Sequence, residues 1–268
     1  MATTGSAPQV GSLLREWRQR RRLTQLELAL DAGVSARHLS FVETGRSSPG
    51  RDMLLRLGER LELPFRERNR LLLAAGHAPA FPERPFGAPE LAPIREALER
   101  ILKSHEPYPA VVFDRHWNLV AANTAVQPLI ATIDPALLSP PVNVLRVALE
   151  LIPQIINAND VMVYFRDRLQ RQLTATADKH LAQLLEQFEK CVPREDHSAA
   201  SQSDFAQTLG PVRVQAPDGG EWSFFGMFGT FDMPFEVTIS ELAIEILFPA
   251  DQKTADAFKS LASDREKS

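Results

Sequence analysis

The side chains best equipped to hold another molecule in the first part of the chain lie between residues 25 and 46. Arg37 and Arg46 each carry a planar fork of donors that fits phosphate oxygens and guanine edges. Gln25 stands where a helix is predicted to begin, and such a position can hold a phosphate. These residue types predict contacts of Gln25, Arg37 and Arg46 with a polyanion. The other candidate contacts, which are neighbours of Arg37 in the sequence, are Ser35, Ala36, His38, Ser40 and Phe41. His38 has an alternative role as a surface or packing histidine, and the whole set has an alternative interpretation as a solvated basic face.

A second group, later in the chain, has the chemistry to hold a long apolar molecule by one polar anchor. Arg146 stands among Val144, Leu145 and Val147, and its guanidinium can clamp a carboxylate. The aromatic-rich run 222–231 supplies apolar surface. The predicted ligand contacts are Tyr108, Trp117, Asn123, Asn143, Arg146, Phe224, Met227 and Phe231. Each has a structural alternative, which is an exposed or ion-paired arginine for Arg146 and packing or hydrogen bonding within the fold for the others.

The spacing of the reactive residue types argues against catalysis. The six histidines are scattered along the sequence without a His-x-x-x-His pair, so no metal ligand set is expected. The sequence has no Gly-x-x-x-x-Gly-Lys phosphate loop, and the segment 45–49 lacks the second glycine of a nucleophile elbow. Cys191 is the single cysteine and has no partner for an intrachain disulfide. We therefore predict a protein that is not an enzyme and that has no cofactor beyond a bound apolar ligand.

Charge divides the 268 residues into two parts. Residues 1–78 contain 13 arginines, no lysine and 8 acidic residues, a net charge of +5, whereas the remainder is net −9 and the whole chain is −4. A basic module followed by an acidic one is typical of a polyanion binder joined to a second function, and the length fits two domains. No apolar run reaches the roughly 18 residues of a membrane helix, and the first residues do not have the pattern of a signal peptide. The sequence therefore predicts a cytoplasmic protein without membrane contact.

The first 78 residues are predicted to form five short helices that position the polyanion contacts. Thr24 and Glu27 have the spacing of a capping box at the start of the second helix, and Gly33 suits a left-handed residue at its end. Ser35 then caps a third helix only about three residues later, which is the spacing of a helix-turn-helix. Residues 79–93 are rich in proline, which removes amide donors, and are predicted to be a linker.

Residues 94–266 are predicted to mix helices with antiparallel strands. Short strands are expected on both sides of a turn at Asp114, and a hairpin is expected around the segment 217–220. A further strand over 242–248 and a closing helix complete the pattern. The predicted fold class is therefore two domains, an all-α domain of five helices followed by an α+β domain with an antiparallel sheet and flanking helices.

The N-terminal motifs are specific when taken together. They are Thr24-Gln25, Gly33-Val34-Ser35, Phe41-Val42-Glu43-Thr44-Gly45-Arg46 and Pro49. With these motifs, about the first 76 residues resemble the DNA-binding domain of XRE-type (Cro/repressor-like) bacterial regulators. The resemblance implies that the third helix enters the major groove, with Arg37 near a guanine or a phosphate and Ala36 or Phe41 near a thymine methyl group. Gly50 departs from the family pattern, in which serine is usual, and is a weaker N-cap.

A second resemblance rests on the segments 107–123, 143–146 and 237–251. The region 94–266 resembles the MmyB-like regulator ligand-binding domain. That domain is similar to a PAS fold, an antiparallel sheet with flanking helices around a pocket. The resemblance implies a small-molecule sensor with fatty-acid-like molecules as the class of ligand.

Together these observations predict a bacterial transcription regulator. It would bind double-stranded operator DNA as a homodimer through residues 1–78 and sense a small apolar or acidic ligand, such as a fatty acid, through residues 94–266. Two alternatives stay open. One is a DNA-binding protein whose second domain only dimerises, and the other is an acyl-processing enzyme fused to a helix-turn-helix.

Overall fold

The computed structural model describes residues 10–191, 210–231 and 236–267. The chain divides into two compact units. Within the described residues, the first unit comprises 10–84 together with 172–177 and 236–240, and the second comprises the rest. Each unit is built around its own buried apolar residues.

The first unit is a bundle of five helices, as predicted. They are α1 (Val10–Arg20), α2 (Gln25–Asp31), α3 (Ala36–Glu43), α4 (Arg51–Arg60) and α5 (Phe65–Ala74). Each helix contributes leucines at helical spacing to a single core, which contains the fully buried Leu14, Leu28, Leu39, Leu57 and Leu72. This core fixes the relative orientation of α2 and α3, the two helices of the helix-turn-helix.

Local signals set where these helices begin and end. Thr24 and Glu27 form a reciprocal capping box, in which each side chain accepts a hydrogen bond from the other residue's backbone N–H. Gly33 takes a left-handed φ of 62° just after α2, a conformation that costs glycine little. Gly50 provides no side-chain cap for α4, in line with its departure from the family pattern. Gly11 lets α1 approach α3 closely, because a Cβ at this position would lie 2.3 Å from the Val42 carbonyl oxygen.

The N-terminal unit continues beyond the predicted boundary at residue 78. The buried Asn69 side chain accepts hydrogen bonds from the backbone N–H groups of Ala80 and Phe81 and donates one to the Phe81 carbonyl. The Phe81 ring stacks on Phe65 with centroids 4.4 Å apart. These contacts tie the first part of the predicted linker to α5, and the unit extends to Arg84.

The remaining chain alternates helices and strands. Its elements in order are α6 (Ala92–Ser104), β1 (Ala110–Phe113), β2 (Leu119–Ala122), α7 (Gln127–Ile130), α8 (Val144–Leu151), α9 (Ala158–Thr176), α10 (Lys179–Cys191), β3 (Val212–Gln215), β4 (Glu221–Thr230), α11 (Val237–Ser240), β5 (Ala243–Pro249) and α12 (Gln252–Glu266). Short 3-10 helices cover Pro89–Leu91, Thr124–Val126, Pro135–Leu138 and Ile152–Gln154. The break between α9 and α10 falls at Ala177, whose φ is 54°.

The five strands form one antiparallel sheet in the order β2-β1-β5-β4-β3, which confirms the predicted architecture. Strand β5 lies in the middle, with Glu245 opposite Val111 of β1 and Phe228 of β4. Because side chains alternate between the two faces of a strand, Glu245 and Leu247 share one face. That face carries the candidate ligand site.

Candidate DNA-binding surface and ligand cavity

The predicted DNA contacts lie along α3, and its N-terminus is held by Ser35. The Ser35 hydroxyl accepts a hydrogen bond from the His38 backbone N–H at 3.1 Å, which satisfies one donor of the first turn. Arg37 and His38 are exposed, whereas Ala36 and Phe41 are half-buried. The Arg37 guanidinium lies 5.4 Å from the centre of the Phe41 ring. The helix therefore presents a cation and an aromatic edge together at its accessible face.

Arg46 follows α3 in the turn that ends the helix. Gly45 takes a left-handed φ of 72°, and the Arg46 backbone N–H donates to the Phe41 carbonyl at 2.8 Å. The Arg46 side chain is exposed, and Ser40 is half-buried one position before Phe41. The structure therefore brings Arg46 next to the C-terminal end of α3, in the same unit as the other predicted contacts.

Gln25 belongs to a buried polar network that the sequence did not reveal. Its side-chain amide donates to Glu43 Oε2 at 2.8 Å. Arg18 grips the same carboxylate with two hydrogen bonds of 2.7 and 2.8 Å, and Arg15 lies 3.6 Å from it. Burial by itself would raise the pKa of Glu43, but the bonds from Arg18 and Gln25 outweigh it and hold the pKa below its ordinary value. The network joins α1, α2 and α3, and it withdraws the carboxylate of α3 from the accessible face.

The second unit contains an apolar cavity of about 320 Å³ between the sheet and the helices. Its lining includes Val111 and Leu247 of the sheet, Val147 of α8 and Phe165 of α9. Among the described residues that line this cavity, Glu245 is the one with a polar side chain. A space of this size with a nearly continuous apolar wall fits the tail of an apolar ligand.

A second cavity of about 230 Å³ adjoins the first. The two share the wall residues Val161, Phe165, Val212, Phe224 and Glu245. The second is more polar, because Asn157, Asp160 and Tyr164 also line it. Glu245 therefore stands at the junction of an apolar and a polar compartment.

Arg168 interacts electrostatically with Glu245, and its guanidinium is in contact with aromatic rings. Its guanidinium lies 3.7 Å from the centre of the Phe228 ring and 5.4 Å from that of Trp117. Burial lowers the pKa of Arg168, partly offset by Tyr164, with which it forms a hydrogen bond, and by Glu245. Burial also raises the pKa of Glu245 to about 7, despite the attraction of Arg168.

The structure separates the predicted ligand contacts from one another. Phe224 lines both cavities. Arg146 is exposed on α8, while its neighbours Val144 and Val147 line the first cavity, so the predicted carboxylate clamp does not face the ligand space. Met227 lies on the opposite face of the sheet with 49% of its surface exposed, because it is an odd number of residues away from both Phe224 and Phe228. Phe231 follows the end of β4 and lines neither of these cavities.

The other four predicted contacts form structural hydrogen bonds or core packing. Asn143 caps α8 and donates to the His116 carbonyl at 2.9 Å. Asn123 accepts from the Ala110 N–H at 3.0 Å and donates to the Tyr108 carbonyl at 2.7 Å. Trp117 is fully buried with a left-handed φ of 66°. Tyr108 packs beside the cluster of Trp222, Phe224 and Phe258. These positions correspond to the structural alternatives considered for them.

Two histidines that are far apart in sequence meet in the second unit. His116 and His180 have ring centroids 4.5 Å apart, and His116 Nε2 lies 2.8 Å from Asp178 Oδ2. Burial would raise the pKa of Asp178, but hydrogen bonds with His116 and the His180 backbone hold it below its ordinary value.

Within residues 10–191, 210–231 and 236–267, no group of three or more His, Cys, Asp or Glu side chains is placed to hold a metal ion. In the same ranges, none of the helices combines the length and the hydropathy that crossing a membrane requires.

A helix-turn-helix unit and a second unit with an apolar cavity are the parts expected of a transcription regulator with DNA-binding and ligand-binding domains. Residues 94–261 match the family described as the MmyB-like transcription regulator ligand binding domain, and residues 14–68 match the helix-turn-helix family. Because the first match covers more than half of the sequence, the chain belongs to the MmyB-like transcription regulator family.

A similar protein is also known from Bacillus subtilis (strain 168). It is described as the uncharacterized HTH-type transcriptional regulator RghRB, and it is 36% identical over 103 residues. The similarity covers 38% of this chain and 66% of the relative, just under two thirds of the relative's length. The relative is thus a second helix-turn-helix regulator that resembles this chain.

Proposed function

We propose that the chain binds operator DNA through α3 and that a small apolar ligand in the cavity of the second unit regulates this binding. The observation that carries the proposal is the combination of an accessible, Ser35-capped α3 and an apolar cavity in one chain. The cavity favours ligand binding over the alternative in which the second domain only dimerises.

The exposed face of α3 supports DNA contact through side-chain chemistry. Arg37 and His38 lie in the first turn, which a helix-turn-helix directs at base edges. The one acidic residue of α3, Glu43, is paired with Arg18 and does not oppose a phosphate. We assign base contacts to Arg37 and its neighbours Ala36 and Phe41, and a phosphate contact to Arg46.

We further propose that the chain acts as a homodimer. A two-fold dimer places two copies of α3 about one helical turn apart on DNA, and the operator should then contain an inverted repeat. Selection of duplexes from a random pool by the full-length protein, together with light scattering of the complex, tests this. Selected sequences with a single half-site and a complex that contains one chain would contradict it.

Replacing Arg37 with alanine is expected to weaken binding to the selected duplex by about tenfold to a hundredfold, since a bidentate base contact contributes about 1–3 kcal/mol. Arg46→Ala is expected to weaken binding to all duplexes and to lower the salt dependence by about one counterion. Fluorescence anisotropy at several salt concentrations measures both effects. Arg146→Ala, which removes an exposed arginine from the other unit, is the matched control and should bind as the wild-type chain does. Equal affinities for all four proteins would refute the contacts.

The proposed ligand is an amphiphile with one long apolar tail, which is the part that it shares with fatty acids. The apolar wall of the first cavity supports the tail, and the resemblance to the family implied this class. For regulation, the ligand must bind the DNA-competent and DNA-incompetent forms of the protein with unequal affinity. A shift of operator affinity on adding ligand is therefore the functional readout.

Filling the cavity should strongly weaken the binding of an apolar ligand. Ala148 lines the first cavity from α8, and Ala148→Phe places a ring in the space for the tail. We expect the neutral apolar dye N-phenylnaphthylamine to bind the wild-type chain and to bind Ala148→Phe at least about tenfold more weakly, because the apolar surface it would bury is already covered. Ala182→Phe, on the exposed surface of α10, is the control for an added ring. Equal fluorescence titrations for the wild-type chain and Ala148→Phe would refute the cavity as the binding site.

A further inference from the structure

Glu245 is the polar feature around which the cavity is built. It belongs to the central strand β5, in a sequence whose neighbours Ile244 and Ile246 are apolar. It lines both cavities, so its accessible surface faces them. A carboxylate in the middle of an apolar sheet is costly unless donors reach it, which indicates a specific role for this position.

Among the residues that the structure describes, the donors that would normally satisfy such a carboxylate are missing. Among the hydrogen bonds and ion pairs formed within the described ranges, none ends on the Glu245 carboxylate, and its interaction with Arg168 is one of charge at a distance. Arg168 is stacked on Phe228 and hydrogen-bonded with Tyr164, and it does not line either of the two cavities. The acceptor capacity of Glu245 is therefore available to a molecule in the cavity.

The remaining polar wall has the same sign. Asp160 is a second carboxylate at the adjoining cavity, and Tyr164 is neutral. The Asn157 side chain donates to the Pro211 carbonyl and accepts from the Arg213 N–H, so it is committed to the backbone of β3. Neither cavity is lined by a lysine, arginine or histidine among the residues that the structure describes.

A ligand carboxylate placed here would face Glu245, whose negative charge Arg168 only partly offsets, and would find no cation in the described wall of either cavity. Two carboxylates at one site repel each other unless one takes up a proton. A head group that donates hydrogen bonds would instead meet an unsatisfied acceptor, and a cationic head would also gain from its charge. The electrostatics of the wall thus select the head group while the apolar cavity accepts the tail.

We propose that the cavity binds a long-chain amphiphile whose head group donates hydrogen bonds to Glu245, a primary amine above all and an alcohol less strongly, in preference to a simple carboxylate. This inference rests on the proposed ligand-binding function and specifies the chemistry of the ligand. It also identifies Glu245 as the residue that determines specificity, a role first assigned to Arg146.

Isothermal titration of the delipidated full-length chain with decylamine, decanol and decanoate tests the proposal, because the three share one tail length. At about pH 8, where the Glu245 carboxyl is mostly ionised, we expect decylamine to bind at least about tenfold more tightly than decanoate. A hydrogen bond to a charged group has this magnitude. Decanol should bind with intermediate affinity.

Variants identify the residue responsible for the preference. Glu245→Gln keeps the size of the side chain and should reduce the difference between decylamine and decanoate to about threefold or less, since the charge-assisted bond is lost. Glu186→Gln removes an exposed carboxylate from α10 of the same unit and should leave the preference unchanged. A preference that persists in Glu245→Gln would overturn the assignment to this residue.

The outcomes also separate this inference from the proposed function. If decanoate binds most tightly, the head-group inference is wrong while the ligand-binding function stands. If none of the three binds although N-phenylnaphthylamine does, the inference is likewise wrong. If the dye also fails to bind, both proposals are overturned.

Discussion

Replacing Arg18 with methionine is expected to destabilise the N-terminal unit by about 3 kcal/mol, because a buried carboxylate loses its main partner. The Glu43 side chain is completely buried, and Arg18 forms two hydrogen bonds with it from α1. Gln25 and Arg15 remain near the carboxylate in the variant, so part of its solvation is retained. The loss of stability should be largest where α1, α2 and α3 meet.

Hydrogen exchange of the full-length chain measures this locally, through the amides of residues 13–43. Arg20→Met is the matched control, since Arg20 lies on the same helix in an exposed pair with Glu16. Such surface pairs contribute little, so this variant should lose less than about 0.5 kcal/mol. The double replacement of Arg18 by methionine and Glu43 by leucine should recover most of the stability, because no charge is left buried. Equal protection in the Arg18 and Arg20 variants would show that the buried pair does not hold the three helices together.

The helix-turn-helix was predictable because its signals are local. The Thr24–Glu27 capping box, the left-handed Gly33 and the Ser35 cap each act within a few residues, and all three occur as expected. The Arg18–Glu43 pair joins residues 25 positions apart, and the sequence contains no periodic pattern that specifies it. Gln25 lies at the start of α2, as predicted, and its side chain also donates a hydrogen bond to Glu43. That hydrogen bond could not be predicted from the sequence.

The elements of the second unit were also largely predictable, whereas the site was not. Hydrophobic alternation and turn residues located the strands, but the face of the sheet on which each side chain lies depends on the strand register. Alternation places Phe224 and Met227 on opposite faces of β4, but the strand order and register decide which of the two faces the cavities. Arg146 was predicted to bind a carboxylate because it is a charged residue among apolar neighbours, but an amphipathic helix directs such a side chain outward.

One signal for the proposed site was present in the sequence. Glu245 interrupts an otherwise apolar strand, and a carboxylate in such a run is rarely buried unless it is paired. The importance of Glu245 emerges from the sheet order, because β5 lies in the centre and its side chain meets two cavities. Long-range topology, rather than local propensity, thus decided which charged residue faces the ligand space.

The ligand-free Glu245→Gln chain is expected to gain stability over the wild-type chain as the pH rises from about 5 to about 8. The pKa of Glu245 is raised from 4.5 to about 7, because burial disfavours the carboxylate. Between these values the unfolded chain releases the proton while the folded chain keeps it, so the wild-type protein loses stability with rising pH. Between pH 5 and pH 8 the free energy of unfolding of the wild-type chain should therefore fall by about 2.5 kcal/mol relative to the variant, at about 1.36 kcal/mol per pKa unit.

Urea denaturation at both pH values measures the difference, in chains that carry Trp17→Phe so that the fluorescence comes from Trp117 and Trp222 of the second unit. Other titrating groups are common to both chains and cancel. Glu186→Gln is the control: the bond with Lys190 keeps the pKa of Glu186 below its ordinary value, so its effect should not change over this range. A pH-independent difference for Glu245→Gln would mean that the carboxylate is already compensated in the folded chain, for example by water. The acceptor would then be satisfied before any ligand arrives, and the basis for selecting a donor head group would be removed.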